Sequence, residues 1–263
     1  MMDIKRTVRE SYGTLAREGS HATSTPAEAV GYDAANLAAV PAGTPSFGCG
    51  NPLALAALQP GETVLDLGSG AGFDCFLAAQ AVGATGHVIG VDMTPEMIDQ
   101  ARANAAQGGH AHVEFRLGEL EDLPVESESV DVVLSNCVIN LVPDKAQAFA
   151  EAFRVLRPGG RLHLSDLVLA YEPPAELRED PAALVGCVGG ASLRDEYLAT
   201  LREAGFVQVN VDCEQDATTW LNEYLEDSEA EEGCGCGCGC CGTRFALPEG
   251  LVLSLTLTAR KPV

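Results

Sequence analysis

The sequence predicts a doubly wound α/β fold, an open parallel sheet covered by helices on both faces. Three observations predict it. Short apolar runs alternate with helix-length segments from Thr63 to Leu169. The first run stops at a glycine-rich turn, "GSGAG", and the second stops at an acidic residue, Asp92. Strand and helix alternating at this spacing build βαβ units whose strands are buried on both sides.

The elements follow in order. "TVLDLG" (Thr63 to Gly68) is a buried strand that ends at glycine. The segment after it places Phe73, Phe76, Leu77 and Ala81 on one helical face, and Gly83 is its stop. "HVIGVD" (His87 to Asp92) is the second strand, and Thr94 with Pro95 opens the next helix. "VEFRLG" (Val113 to Gly118) and "VDVVLSN" (Val130 to Asn136) are strands three and four. Asp144 starts a helix whose Phe149, Ala152, Phe153 and Leu156 face the sheet, and "RPGG" ends it. "RLHLSDLVL" (Arg161 to Leu169) is strand five. Ser192 caps a helix through Ala204 that Gly205 ends, and "FVQVNVD" (Phe206 to Asp212) and "LVLSLTLTAR" (Leu251 to Arg260) form a final hairpin. Three segments result: 1–60 is an N-terminal extension or lid, 61–170 a cofactor-binding core, and 171–263 a C-terminal portion holding the last strands and a cysteine-rich loop.

Composition narrows the function. The formal charge of −22 over 263 residues argues against nucleic acid or an anionic membrane as partner. The start, "MMDIKRTVRESYG", carries no apolar signal region, and no apolar stretch is long enough to span a bilayer. The expectation is a cytoplasmic protein. In a reducing compartment its ten cysteines are ligands or catalysts before they are disulfides.

The turn "LDLGSGAG" sets Asp66, Gly68, Ser69, Gly70 and Gly72 between a strand and a helix N-terminus. Glycines there let the backbone close on a ligand, and an acid at the end of the second strand can take both ribose hydroxyls. The spacing is not the G-x-G-x-x-G of dinucleotide binders, and no phosphate-binding lysine follows. This favours S-adenosylmethionine over NAD or ATP. Asp92 would take its ribose and Glu119 or Leu120 in "LGELEDLP" would lie near its adenine edge, with Met93 and Asn136 as further cofactor-binding candidates.

No paired histidine and carboxylate stands out as a general base. What stands out is thiols: Cys137 in "SNCVINLVPD", Cys187 in "GCVGGA" and Cys49 in "FGCGNP". With "FGCGNPLALAALQPGETVLDLGSGAGFDC", "GVDMTPEMI" and "RVLRPGGRLHLSD", these pieces make the chain resemble the arsenite S-adenosylmethionine methyltransferases over roughly residues 45 to 205. The resemblance implies a Rossmann-like class I methyltransferase sheet with an arsenic-binding C-terminal portion, and transfer of methyl groups to thiolate-bound trivalent arsenic. It implies Cys137 and Cys187 as arsenic ligands and Cys49 as a releasable third. Implied partners are arsenite or its thiol conjugates, and an external thiol reductant. Trivalent arsenic is soft, binds thiolates pyramidally and keeps a lone pair that can attack a sulfonium methyl without a base.

The chain departs from the family's pattern near the N-terminus. Family members often carry a further cysteine after the "REG" segment, linked to the reduction of oxidised arsenic, whereas here "REGSHATS" offers Ser20 and His21. Cys234, Cys236, Cys238, Cys240 and Cys241 in "EEGCGCGCGCCG" form a Cys-Gly cluster that can wrap a soft ion. Capture and delivery of arsenite, scavenging of zinc or copper, and a loop with no catalytic part stay open for it. Cys75 reads as core and Cys213 as structural. Two rivals also stay open: a methyltransferase for a small organic metabolite, and a thiol-based metalloid sequestration protein.

Overall fold

The computed structural model describes residues 3–18, 31–33, 37–38, 40–222 and 246–263. The five cysteines at 234–241, together with Ser20 and His21, lie outside the described residues.

Seven strands form one sheet: β1 (Thr63–Leu67), β2 (His87–Asp92), β3 (Val113–Leu117), β4 (Val130–Asn136), β5 (Leu156–Leu169), β6 (Val207–Asp216) and β7 (Val252–Arg260). Their order is β3-β2-β1-β4-β5-β7-β6. The first five strands run parallel, and β7 inserts antiparallel between β5 and β6. The last two strands therefore pair with each other as a hairpin and also complete the same sheet. The chain moves one way from β1 to β3 and restarts on the other side at β4. That reversal opens a crevice beyond the carboxyl ends of β1 and β4, where open α/β sheets take ligands.

The alternation of side chains along β1 explains why both faces need cover. Leu65 and Leu67 pack into one core with Phe149, Ala152, Tyr197 and Leu201. Val64 joins the opposite core with Phe76, Ala78, Ala79 and Val82. The helices that supply these groups are α3 (Phe73–Val82) and α4 (Pro95–Gly108) on one side, α5 (Lys145–Val155) and α8 (Arg194–Glu203) on the other. Shorter helices are α2 (Leu53–Ala56), α6 (Ala175–Glu179) and α7 (Pro181–Val185). The N-terminal extension contributes α1 (Ile4–Glu18).

Several local expectations change. Ala81 is exposed, yet α3 is buried on nearly every side, including Asp74 and Cys75. A helix sandwiched this way shows no single apolar stripe. The "RPGG" segment does not lie between helix and strand; Leu156 already pairs with Val130, so β5 begins there. Leu193 replaces Ser192 as the cap of α8, because the Ser192 carbonyl is engaged by the Leu169 amide at 2.9 Å. Thr94 occupies the cap position of α4 without a side-chain bond. Asp144 caps α5 as expected, accepting from the Gln147 amide at 2.9 Å.

Candidate active site

The glycine turn after β1 is built by steric necessity. Gly68 has φ +65°, and a side chain there would drive into Val138, whose Cβ lies 2.7 Å from the ideal Cβ position. Asp92, at the end of β2, fixes the turn. Its Oδ2 accepts from the Gly70 amide at 3.0 Å and its Oδ1 from the Thr94 amide at 2.8 Å. Each oxygen keeps a lone pair for a ligand hydroxyl.

Two adjoining hollows flank this turn. The larger, of about 700 Å³, is lined by Gly68, Gly70, Asp92, Met93, Leu120, Asn136 and Cys137, and is roofed by Lys5, Val8 and Tyr12 of α1. The smaller, of about 370 Å³, includes Asp66, Ser69, Gly70, Asp74 and Asn136. The first is mostly apolar and suits a planar base with its ribose on Asp92. The second suits a cation. Burial pushes the carboxyls of Asp66 and Asp74 up, further for Asp66, which also faces the Asp74 charge. Neither is paired with a Lys or Arg among the described residues. Ser69 Oγ is buried without a hydrogen-bond partner among the described residues. Two buried carboxylates without a counter-charge and one unpartnered hydroxyl fit the amino-acid end of a nucleoside-linked methionine.

Glu119 takes a different place from the one expected. Its carboxylate is held by Lys5 at 2.6 Å and Arg9 at 3.2 Å, tying α1 down, while Leu120 and Glu121 line the hollow. Gly72 is the cap of α3, and its ideal Cβ position lies against the Phe115 ring.

The three expected thiols converge. Cys49, Cys137 and Cys187 are all buried and belong to one cluster with Leu141, Leu167 and Val188. Each of the three sequence segments supplies one of them. Cys137 lies just beyond β4, and its amide donates to the Ser165 carbonyl at 2.8 Å. Its thiol is in hydrogen-bond reach of both Cys49 and Cys187. The Cys187 thiol donates to the Cys137 carbonyl at 2.9 Å. The glycines beside Cys49 allow its approach. A side chain at Gly48 would overlap Asn136, and one at Gly50 would sit 2.7 Å from Ser165. The Cys49 amide then donates to Asn136 Oδ1 at 3.1 Å. Cys137 and Cys187 hold φ of +60° and +65°. Left-handed backbone costs a non-glycine residue roughly 1–2 kcal/mol, so the surrounding packing must impose it.

The electrostatics keep these thiols protonated. Burial pushes the Cys49 thiol up. For Cys187, the hydrogen bond with Cys137 comes first and burial second, both upward. For Cys137, the bond with Cys187 pulls downward, but the bond with Cys49, burial and nearby charge outweigh it. Asp166 contributes to that charge. One of its carboxylate oxygens and the sulfurs of Cys49 and Cys137 lie within 4.8 Å of one another. Burial pushes Asp166 up to about 7, against the Tyr197 hydroxyl and the Lys145 charge.

Sequence reasoning missed Asp166, Asp74 and Tyr32. Asp166 left a signal, a charge inside the apolar run "LHLSDLVL". Tyr32 left none. Its hydroxyl donates to Asp74 at 2.5 Å and accepts from Asn136 at 3.1 Å, contacts that only the fold creates.

Comparison with known proteins adds independent findings. A family profile described as a methyltransferase domain matches residues 58–205. The arsenite methyltransferase of Halobacterium salinarum is 52% identical over 236 residues, covering 89% of this chain and 56% of that protein. The human arsenite methyltransferase is 40% identical over 156 residues, 54% of this chain and 40% of its own. The chain thus spans little more than half the length of the first of these relatives. Among solved structures, an arsenic(III) S-adenosylmethionine methyltransferase from Chlamydomonas reinhardtii matches with a TM-score of 0.60 and 29% identity, over 91% of this chain and 74% of that one. A [4+2]-cyclase, SpnF, matches with a TM-score of 0.62 at 21% identity, which shows the shared fold and no shared chemistry. No described helix is long and apolar enough to cross a membrane. The profile match covers more than half of the chain, the ligand crevice lies where that fold places it, and the chain belongs to the methyltransferase-domain family.

Proposed function

We propose that the chain transfers methyl groups from S-adenosylmethionine to trivalent arsenic held by Cys49, Cys137 and Cys187. The observation that carries the reading is the convergence of three buried thiols beside a nucleoside-sized hollow. An organic acceptor gives no reason for such a cluster. The names of the two relatives and of the algal structure support it.

The residues present fit the cofactor. Asp92 would take the ribose, Met93 and Leu120 the base, and Asp66 with Asp74 the ammonium group, while the Gly68–Gly72 turn lets its backbone close on the chain between them. When bound, the cofactor supplies an electrophilic methyl group on a positively charged sulfur. The protein's part is to load and aim arsenic. Each neutral thiol gives its proton to an arsenite hydroxyl, water leaves, and an As–S bond forms. Protonated thiols are therefore the competent form. With a thiol conjugate, the leaving group is the conjugate's own thiol. Asn136 contacts the Cys49 amide through one end and Asp74 through the other at 3.0 Å, so one side chain registers the arsenic site against the cofactor hollow.

The same reading assigns 1–60 as a lid, 61–170 as the cofactor core and 171–263 as the arsenic-binding portion, working in a reducing cytoplasm. An external thiol would return methylated arsenic to the trivalent state, two thiols giving two electrons and leaving as a disulfide. The 234–241 cysteines would raise the local arsenite supply. Incubation with arsenite, cofactor and thiol, followed by arsenic speciation, tests the proposal. Methylated arsenic with equimolar S-adenosylhomocysteine is expected. Bound arsenite without cofactor consumption would support sequestration instead, and turnover that needs no arsenic would support an organic acceptor.

A further inference from the structure

We infer that Asp166 is an electrostatic group of the arsenic site, whose buried carboxylate stabilises the positive charge that arsenic acquires during methyl transfer. The inference rests on the reading above that arsenic is the acceptor.

Four observations carry it. The Asp166 side chain is fully buried, at 0% exposure. Its oxygen shares a 4.8 Å neighbourhood with the sulfurs of Cys49 and Cys137. Three groups donate to it: the Tyr197 hydroxyl at 2.9 Å, Asn140 Nδ2 at 3.1 Å and the Leu167 amide at 3.1 Å. Every one of these bonds uses the carboxylate as acceptor, so the network favours the charged form against the burial that raises it. Finally, the residue before it organises the thiols. The Ser165 carbonyl accepts from the Cys137 amide at 2.8 Å and lies 3.8 Å from the Cys49 sulfur.

Both carboxylate oxygens are engaged, Oδ2 by Tyr197 and Oδ1 by Asn140 and the Leu167 amide, where an asparagine would offer one acceptor oxygen; the buried carboxylate is nonetheless costly to desolvate. The reaction gives the charge a use. The arsenic lone pair forms the As–C bond while the methyl C–S bond breaks, and that electron pair stays on the departing sulfur. The sulfonium loses its positive charge, arsenic gains it, and arsenic goes from the trivalent to the pentavalent state. No proton moves. A fixed negative group in a dry pocket beside the thiolates stabilises the product side of this step, because its dipoles and charge need no reorganisation as the charge arrives. Tyr197 is itself locked edge-on against Phe149, with ring centroids 5.4 Å apart, so the carboxylate is held by a rigid partner. Asp166 acts here as a positioning charge.

The test compares Asp166→Asn and Tyr197→Phe with the parent protein. Arsenite binding is measured by titration calorimetry. Asp166→Asn should lower the single-turnover methyl-transfer rate by about 100-fold, the scale of a lost preorganised electrostatic group. Its arsenite dissociation constant should stay unchanged. Tyr197→Phe keeps the carboxylate and the ring while removing one of its donors, and should lose less rate than Asp166→Asn. An Asp166→Asn protein with full rate overturns the inference. So does one whose weaker arsenite binding accounts for the whole loss, since Asp166 would then be a ligand or a structural group. Equal rate loss in Tyr197→Phe also overturns it, by tracing the effect to the network and not to the charge. This variant keeps the question answerable where Asp166→Asn fails to fold. A parent protein that makes no methylarsenic would overturn the functional reading itself, a result distinct from all of these.

Discussion

Asp92→Asn isolates the residue that joins the glycine turn to the ribose. In the parent protein both carboxylate oxygens accept backbone bonds, from Gly70 at 3.0 Å and Thr94 at 2.8 Å. Asparagine has one acceptor oxygen. It keeps the shorter bond to Thr94 and turns an amino group toward the Gly70 amide, which then lacks an acceptor. The ribose hydroxyls lose a charged acceptor at the same time. A hydrogen bond to a charged group contributes about 1.5–3 kcal/mol. At 1.4 kcal/mol per decade, the dissociation constant for S-adenosylhomocysteine should rise about 10- to 150-fold. Titration calorimetry measures it, and thermal unfolding of the free protein separates loop damage from ligand loss. Unchanged affinity would refute the argument and place the ribose elsewhere.

Four further outcomes follow from the same geometry. Cys137→Ser and Cys187→Ser should each abolish methylation of arsenite and of monomethylarsenite, while Cys49→Ser should slow the first methylation more than the second; arsenic speciation with each substrate decides, and equal losses in Cys49→Ser would exclude a releasable ligand. His163 is buried with both ring nitrogens unpartnered among the described residues, and burial lowers it to about 4. Because the unfolded chain binds that proton more tightly, stability should fall as pH drops from about 6.5 toward 4, by about 2 kcal/mol after allowance for screening, and denaturant titrations of His163→Leu should lose this slope. Asp66 and Asp74 are raised in the free protein, so an arriving ammonium group should expel protons; S-adenosylhomocysteine affinity should increase with pH, and calorimetry in buffers of different ionisation enthalpy should show proton release. Replacing all five cysteines at 234–241 by serine should raise the arsenite KM and leave kcat near normal at high external thiol; a fall in kcat confined to low thiol would assign the cluster to reduction instead.

The core of the sheet was legible because its signals are local. A buried strand that stops at glycine, as at Thr63–Leu67, or an aspartate before a helix, as at Asp144, carries its reason within a few residues. The grouping of the thiols was legible only through the family resemblance their motifs carry; from the residues alone, only Cys137, just beyond strand four, pointed to the crevice. What stayed hidden depends on distant partners. Glu119 reads as a cofactor contact until α1 arrives with Lys5 and Arg9 to take its carboxylate. Ala81 reads as inward from helical spacing alone, and only the crowding of α3 on its other sides shows otherwise. Asp166 looked like one more strand residue, since nothing near it in sequence says that Tyr197 and Asn140 will close around it.

X-ray absorption at the arsenic edge tests the central claim most directly. The sample is the protein with serine at all five 234–241 positions, loaded with one equivalent of arsenite, so that the cluster thiols no longer compete for the ion. Three sulfur neighbours and no oxygen are predicted, falling to two sulfurs in Cys49→Ser. A first shell dominated by oxygen, or one that Cys137→Ser and Cys187→Ser leave unaltered, would contradict the account.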